Sequence, residues 1–419
     1  MNRRELLTLA GAAGLAGLFS RTARAKPRSS KPAKRLVLVM AQGGWDTTYA
    51  LDPKTQSASV DVPAGALTMF EDIPIFADAS RPNTSAFFTQ YAANTAVIRG
   101  ISVASVAHQE CVKRMSTGTR EETNPDMGAI VAHDLGNALP LPYLILGDTA
   151  FTGAYAVSSG RVGATNQIIA LLDPAQGYKT DGATPFATTA AEDALVAQYA
   201  QATADRVHQT RGALGYNRAR VDDFVEAIDR GQRLIPVRSG FGTRGRTLAI
   251  DSQVALGLDA LQQGISQAVM LNTRLAWDTH TANEDQAGFH ETTFAALTSI
   301  LDGLGARPGL QSGTTMLDDT VVICYSEFSR TPKLNANGGK DHWPVTSALV
   351  MGAGVRGGKA YGATTDDVQT TPIDLATGLE DPDGTVLSSE QLVAGLLELC
   401  GVAPTDHLGA TEVFDAFVA

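Results

Sequence analysis

Short, continuous apolar runs punctuate the chain and are separated by longer stretches of mixed polarity. The clearest are 35–41 (RLVLVMA), 95–101 (TAVIRGI), 141–146 (LPYLIL), 268–276, 320–325 (TVVICY) and 347–352. Runs this short, rich in β-branched residues and without alternation, predict strands buried on both faces. Helical patterning fills much of the intervening sequence, at 85–93, 105–115, 127–135, 190–235, 248–265, 289–304 and 388–400. Strands alternating with helices predict an α/β fold built on a mostly parallel sheet. Segment 52–78 reads as loop and small excursions, and 151–189, rich in Gly, Ala, Ser and Thr, as long loops over the sheet edge. No repeat and no linker is visible after residue 34, so 35–419 is expected to form a single domain.

Three of these runs end in polar residues. Run 35–41 stops in Gln42-Gly43-Gly44-Trp45-Asp46, and run 268–276 in Trp277-Asp278-Thr279-His280. Run 320–325 leads into Ser326, Glu327, Ser329 and Arg330, then a loop at 335–339 and Asp341-His342-Trp343. Open α/β proteins present their sites at the C-terminal edge of the sheet, so these ends are the candidate site. Asp46 is either a metal ligand or the cap of an Asx-turn. Asp278 and His280, with His290 ten residues on, form a plausible oxygen and nitrogen ligand set. Arg330 either clamps an anionic oxygen or pairs with Glu327. Ser102 and Ser105, near the start of helix 105–115, are nucleophile candidates, with an N-cap as the plainer role for Ser105. His108 in the first turn is either a site residue or a half-buried helix histidine.

Composition narrows the partners. Hydrophobic residues make up 44% and charged residues 18%, enough for a substantial core. The net charge of −11 argues against nucleic acid as a partner and, more weakly, against anionic membrane surfaces. Three cysteines at distant positions make no disulfide framework, and Cys324 inside its strand reads as a small apolar residue. The glycine-rich segment 354–362 lacks the spacing of a dinucleotide loop. Arg3-Arg4, the apolar stretch 6–19 and the Ala23-x-Ala25 site mark 1–25 as a twin-arginine signal peptide, followed by a basic linker at 26–34. The apolar stretch is too short for a permanent span. The expected partner in export is the Tat translocase, and the expected location is periplasmic or secreted.

In their order along the chain, the twin-arginine start, GGWD, WDTH, SEFSRTP, NGGKDHW and GAGVRGGKAYG resemble the exported bacterial family called domain of unknown function fifteen-oh-one. That family is grouped with the alkaline phosphatase and sulfatase superfamily. The resemblance implies a mostly parallel central sheet with helices on both faces. It implies one or two divalent ions at the strand edge, zinc, calcium, magnesium or manganese. Asp46 then belongs to one half-site, while Asp278 and His280 supply the other and His342 completes it. Asp341 either hydrogen-bonds His342 or binds metal itself. Glu327 stands where better-known members carry the Asp of an Asp-His pair. Two departures matter. Phe328, not His, follows Glu327, and only Ser102 and Ser105 fall where the nucleophile belongs, Cys111 lacking a modification motif.

The expected function is metal-dependent hydrolysis of phosphate or sulfate esters, on a small or polymeric anionic substrate. Ser105, His108 and Arg330 are the catalytic candidates, and Asp46, Asp278, His280, Glu327, Asp341 and His342 the ligand candidates. The alternative is a catalytically altered member of the fold, acting as a periplasmic binding or assembly factor.

Overall fold

Strand β1 (Arg35–Met40) has five of its six residues buried, because both faces of the sheet are covered there. A computed structural model describes residues 31–63, 65–121, 123–147, 149–162, 189–210, 215–234 and 248–419. The signal expected at 1–25, the start of the 26–34 linker and much of 151–189 lie outside the described residues. The other main-sheet strands are β2 (Thr95–Ser102), β3 (Tyr143–Ile145), β4 (Ser159–Arg161), β5 (Ala268–Asn272), β6 (Thr320–Tyr325), β7 (Val345–Gly352) and β8 (Lys359–Tyr361). Their spatial order is β8-β2-β7-β6-β1-β5-β3-β4. β7 runs antiparallel to both of its neighbours, and the remaining strands share one direction. The sheet is therefore mixed and mostly parallel.

The longer helices are α1 (Pro82–Tyr91), α2 (His108–Thr117), α3 (Met127–Gly136), α4 (Ala190–Gln209), α5 (Gly215–Leu234), α6 (Ile250–Gln262), α7 (Asp285–Gly305) and α8 (Ser389–Cys400). Side chains alternate across a strand, so β1 feeds two cores. Val37, Val39 and Ala41 join the core with Phe87 and Phe88 of α1, Leu258 of α6 and Leu297 of α7. Leu36, Leu38 and Met40 join the core with Met115 of α2, Ile130 of α3 and Leu396 of α8. Helices thus cover both faces. Cys111, Cys324 and Cys400 are buried and free, and Cys324 packs in the first core. No helix among the described residues is long and apolar enough to cross a membrane.

Register sets up the site. Met40 pairs with Asn272 on one side and Tyr325 on the other. The chain segments that follow β1, β5 and β6 therefore leave the sheet side by side.

Some boundaries differ from the expected ones for local reasons. β5 stops at Asn272, because Asn272 Oδ1 accepts from the Arg274 amide at 2.7 Å and Arg274 takes a φ of 56°. That turn is hidden in the sequence by the apolar Leu275 and Ala276. α2 starts at His108, not at 105. Ala104 has a φ of 55°, Ser105 Oγ accepts from the Ala107 amide, and no side chain caps the helix. α7 starts at Asp285, which puts His290 inside the helix instead of at its start.

His290 is fully buried, with its ring against Trp45 (5.9 Å between centroids) and Trp277 (5.0 Å). Its Nε2 donates to the Asp46 carbonyl at 3.0 Å. Burial drives its pKa from 6.5 down to about 4. Between those values the unfolded chain takes up a proton that the folded chain refuses. The stability this ring contributes is present above pH 6.5 and is lost as pH falls to 4, roughly 3 kcal/mol for a shift of this size. Urea denaturation between pH 7 and pH 4 is expected to show that fall, and His290→Gln to flatten it.

Candidate metal centre

The loop after β1 turns through Gly43 and Gly44, with φ of 128° and 84°. A Cβ on Gly44 would stand 2.3 Å from the Phe328 ring, so only glycine fits. The turn presents two carbonyls to Arg330, which lies in a two-residue strand paired with His342–Trp343. Arg330 is wholly buried. Its Nε donates to Gly44 O (2.8 Å), Nη1 to Lys340 O (3.2 Å), and Nη2 to Gly43 O and to Asp278 Oδ1 (2.7 Å). One guanidinium thus ties together the segments that follow β1, β5 and β6.

The carboxylate it holds is the centre of the cluster. Asp278 is half exposed, with Oδ1 3.2 Å from both His280 Nε2 and His342 Nε2, and Oδ2 3.4 Å from His108 Nε2. Each imidazole is aimed from behind. His108 Nδ1 donates to Glu327 Oε1 at 2.8 Å, His280 Nδ1 to Asp341 Oδ1 at 3.0 Å, and His342 Nδ1 to the Val106 carbonyl at 2.8 Å. A carboxylate or carbonyl can only accept, so Nδ1 carries a proton, and in the neutral ring Nε2 presents a lone pair. Three Nε2 atoms therefore lie within 3.4 Å of the oxygens of one carboxylate.

This donor set fits a divalent ion. His280 Nε2 and His342 Nε2 lie only 2.9 Å apart, and two lone pairs at that distance repel unless a cation lies between them. His108 Nε2 is buried with no hydrogen-bond partner. His108, Asp278 and His342 offer ligand atoms all within 4.8 Å of one another. Nitrogen ligands roughly 2.0 Å from a tetrahedral ion stand about 3.3 Å from each other, close to the spacings at Asp278.

The electrostatics favour an ionised Asp278 and a more basic His108. Burial raises the pKa of Asp278, but the Arg330 hydrogen bond and charge outweigh it and hold the carboxyl below its usual range. The hydrogen bond to Glu327 raises the pKa of His108 against the lowering effect of burial. His280 and Asn335 hold Asp341 below the usual range. Phe328 packs under the rings, with centroids 4.4 Å from His342 and 4.7 Å from His108. The residue that stands in place of an expected imidazole forms the apolar floor.

The remaining candidates lie elsewhere or act indirectly. Glu327 is buried, accepts twice from the Gly43 amide (2.9 and 3.0 Å) and orients His108. Asp341 orients His280, not His342. Asp46 is buried beside Lys340, whose Nζ sits 2.7 Å from its Oδ2, and accepts from Asn283 Nδ2, Thr48 N and Thr48 Oγ1. An ammonium fills the place that the family resemblance assigns to a metal beside Asp46. Ser105 Oγ donates to Glu110 at 3.1 Å and has no contact with the cluster among the described residues. Burial raises the Cys111 thiol to about 11. His290 is held in the core as described above. Sequence reasoning missed Lys340, because a lysine in a polar loop reads as solvated, and the Val106 carbonyl, which carries no sequence signal.

A mixed sheet with a His/Asp cluster at its edge defines an α/β protein with a candidate metal site. The chain belongs to the family described as Protein of unknown function (DUF1501), which matches residues 33–389. No curated protein matches the chain. Similar solved structures include a Vibrio parahaemolyticus protein in the alkaline phosphatase superfamily (10% identity, 91% of this chain and 70% of that one, TM-score 0.39). Another is the soluble domain of lipooligosaccharide phosphoethanolamine transferase A from Neisseria meningitidis (10%, 93% and 96%, 0.40). A third is the C-terminal periplasmic domain of EcEptC from Escherichia coli in complex with Zn (10%, 92% and 90%, 0.38). These likenesses are of outline, and the chemistry rests on the side chains above.

Removing the ammonium leaves Asp46 buried and unpaired. Lys340→Met is expected to destabilise the fold by roughly 3–5 kcal/mol in urea denaturation. Adding Asp46→Asn is expected to restore most of that loss, as a paired charge requires.

Proposed function

We propose that this chain is an exported hydrolase of phosphate or sulfate esters that works with one divalent ion held by His108, Asp278, His280 and His342. The observation that carries the reading is the convergence of three aimed Nε2 lone pairs on one carboxylate. Imidazole-rich sets favour zinc over calcium, magnesium or manganese. One ion, not two, is expected, because Asp46 is saturated by Lys340, Asn283 and Thr48. When bound, such an ion polarises an ester oxygen and lowers the pKa of water toward neutrality.

The chain's own residues supply the setting. Arg330 keeps Asp278 ionised and in place. Glu327, Asp341 and the Val106 carbonyl hold the three rings. Phe328 excludes water from beneath them. The half-exposed Asp278 and His280 leave a solvent-facing side for substrate. In the reaction, the oxygen of water bonds to phosphorus or sulfur and the ester oxygen departs. The departing alcohol takes one proton of that water, and the other stays with the inorganic product. With Ser105 turned toward Glu110, water is the nucleophile in this reading. Residues 35–419 are taken as one domain, carried through the Tat translocase behind the 1–25 signal to the periplasm or beyond.

One observation favours a second reading, a binding or assembly factor. Arg330 is buried, so it offers no exposed guanidinium to an anionic ester.

Elemental analysis of the purified protein is expected to find one zinc per chain, lost in Asp278→Asn and His342→Ala. Glu327→Gln is expected to weaken metal affinity by roughly 10–100-fold, as loss of a ring-orienting carboxylate does. In a screen of phosphate and sulfate esters the two ligand variants should lose activity by about a thousandfold. Metal bound without turnover of any ester supports the binding factor. A protein that holds no metal contradicts both the ion and the hydrolase.

A further inference from the structure

His108 belongs to the cluster and also to the wall of a neighbouring cleft of about 690 Å3. That volume is in the range of small-ligand sites. Helix α2 builds much of the cleft. His108, Gln109, Val112 and Lys113 all line it, spaced as i, i+1, i+4 and i+5, so they share one helix face, and the buried Val112 also joins Cys111 and Met115 in the core. Arg120, just past the helix, adds a second cation. Opposite them stand Gln42 and Thr149, whose side chains are joined at 3.2 Å, and the ring of Phe151.

The charges decide what such a cleft accepts. Glu110 is the acidic residue on its lining, and it is bound by Arg114 at 2.6 Å. Lys113 and Arg120 have no ion-pair partner among the described residues. Arg120 acts on Glu110 through its charge without pairing with it, and two cations in one cleft contrast with a chain whose net charge is −11. Lys113 is five residues along α2 from His108, about 7.5 Å at the helical rise. That distance is about the reach of one sugar or polyol unit.

We infer that this cleft is a second-anion subsite. The substrate carries, beside the ester presented to the cluster, another phosphate or sulfate group one sugar or polyol unit away, which Lys113 and Arg120 bind. Gln42, Gln109 and Thr149 supply hydrogen bonds to the connecting hydroxyls, and Phe151 an apolar wall for a sugar face. Substrates with a single anionic group are then poor ones, and repeating anionic polymers or doubly substituted sugars good ones. This inference rests on the hydrolase reading of the cluster.

The test is calorimetric titration of the full metal-containing protein with fructose 1,6-bisphosphate and with fructose 6-phosphate. A disulfated disaccharide and its monosulfated form make the parallel arm. The member with two anionic groups in at least one pair should bind tenfold or more tightly, and the pair that shows the preference identifies the oxyanion. In the Lys113→Ala/Arg120→Ala variant its affinity should fall to that of the member with one anionic group. Both side chains are surface groups, and the melting temperature of the variant checks that it is folded. Equal affinities in both pairs, or a preference that survives in the double variant, would overturn the inference. Metal content measured on the same sample separates the two claims. Absence of metal overturns the cluster reading, whereas bound metal with equal affinities overturns the cleft alone.

Discussion

A single buried guanidinium holds the strand ends together. Arg330 has no access to water, so its charge must be answered inside the protein. Two glycine carbonyls after β1, the Lys340 carbonyl and the Asp278 carboxylate answer it. Those groups come from segments that would otherwise be independent loops. The register of β1, β5 and β6 brings the segments near one another, and the hydrogen bonds of Arg330 tie them together. Asp278 can stand half exposed and still be held, because its partner underneath is rigid.

Two cation–carboxylate pairs at this edge have opposite consequences. Lys340 and Asp46 are both sealed, and the carboxylate has spent its oxygens on the ammonium, an amide and a threonine. That pair is architecture. Arg330 engages one oxygen of Asp278 and leaves the carboxylate facing three imidazoles and solvent. That pair is a mount. The imidazoles follow the same logic, since each has its Nδ1 committed to an acceptor and its Nε2 left for the common point. Two ring nitrogens 2.9 Å apart need a cation between them, a shared proton or a metal ion.

Much of the fold could be read from the sequence because parallel strands covered on both faces leave continuous apolar runs. The runs at 35–41 and 320–325 locate β1 and β6 to within a residue. The polar ends after them, with Trp277-Asp278-Thr279-His280, fall where the strand register brings three chain segments together. The roles within that group were harder to read. Whether Arg330 meets solvent depends on the short pairing with His342–Trp343, which has no periodic signature. Asp46 reads equally as ligand or turn cap until Lys340, distant in sequence, is seen against it. Glu327 and Asp341 have the chemistry of ligands, and only their distances to His108 and His280 show them behind the rings. Ser105 precedes a helix in sequence, yet the turn at Ala104 keeps it from capping one.

The central claim is that a single divalent ion sits among His108, Asp278, His280 and His342. X-ray absorption at the metal edge of the purified protein tests it most directly. The account predicts three or four nitrogen and oxygen ligands at about 2.0–2.1 Å, with the outer-shell scattering of imidazole rings. A spectrum of oxygen ligands alone, without imidazole scattering, would contradict it, as would sulfur ligands.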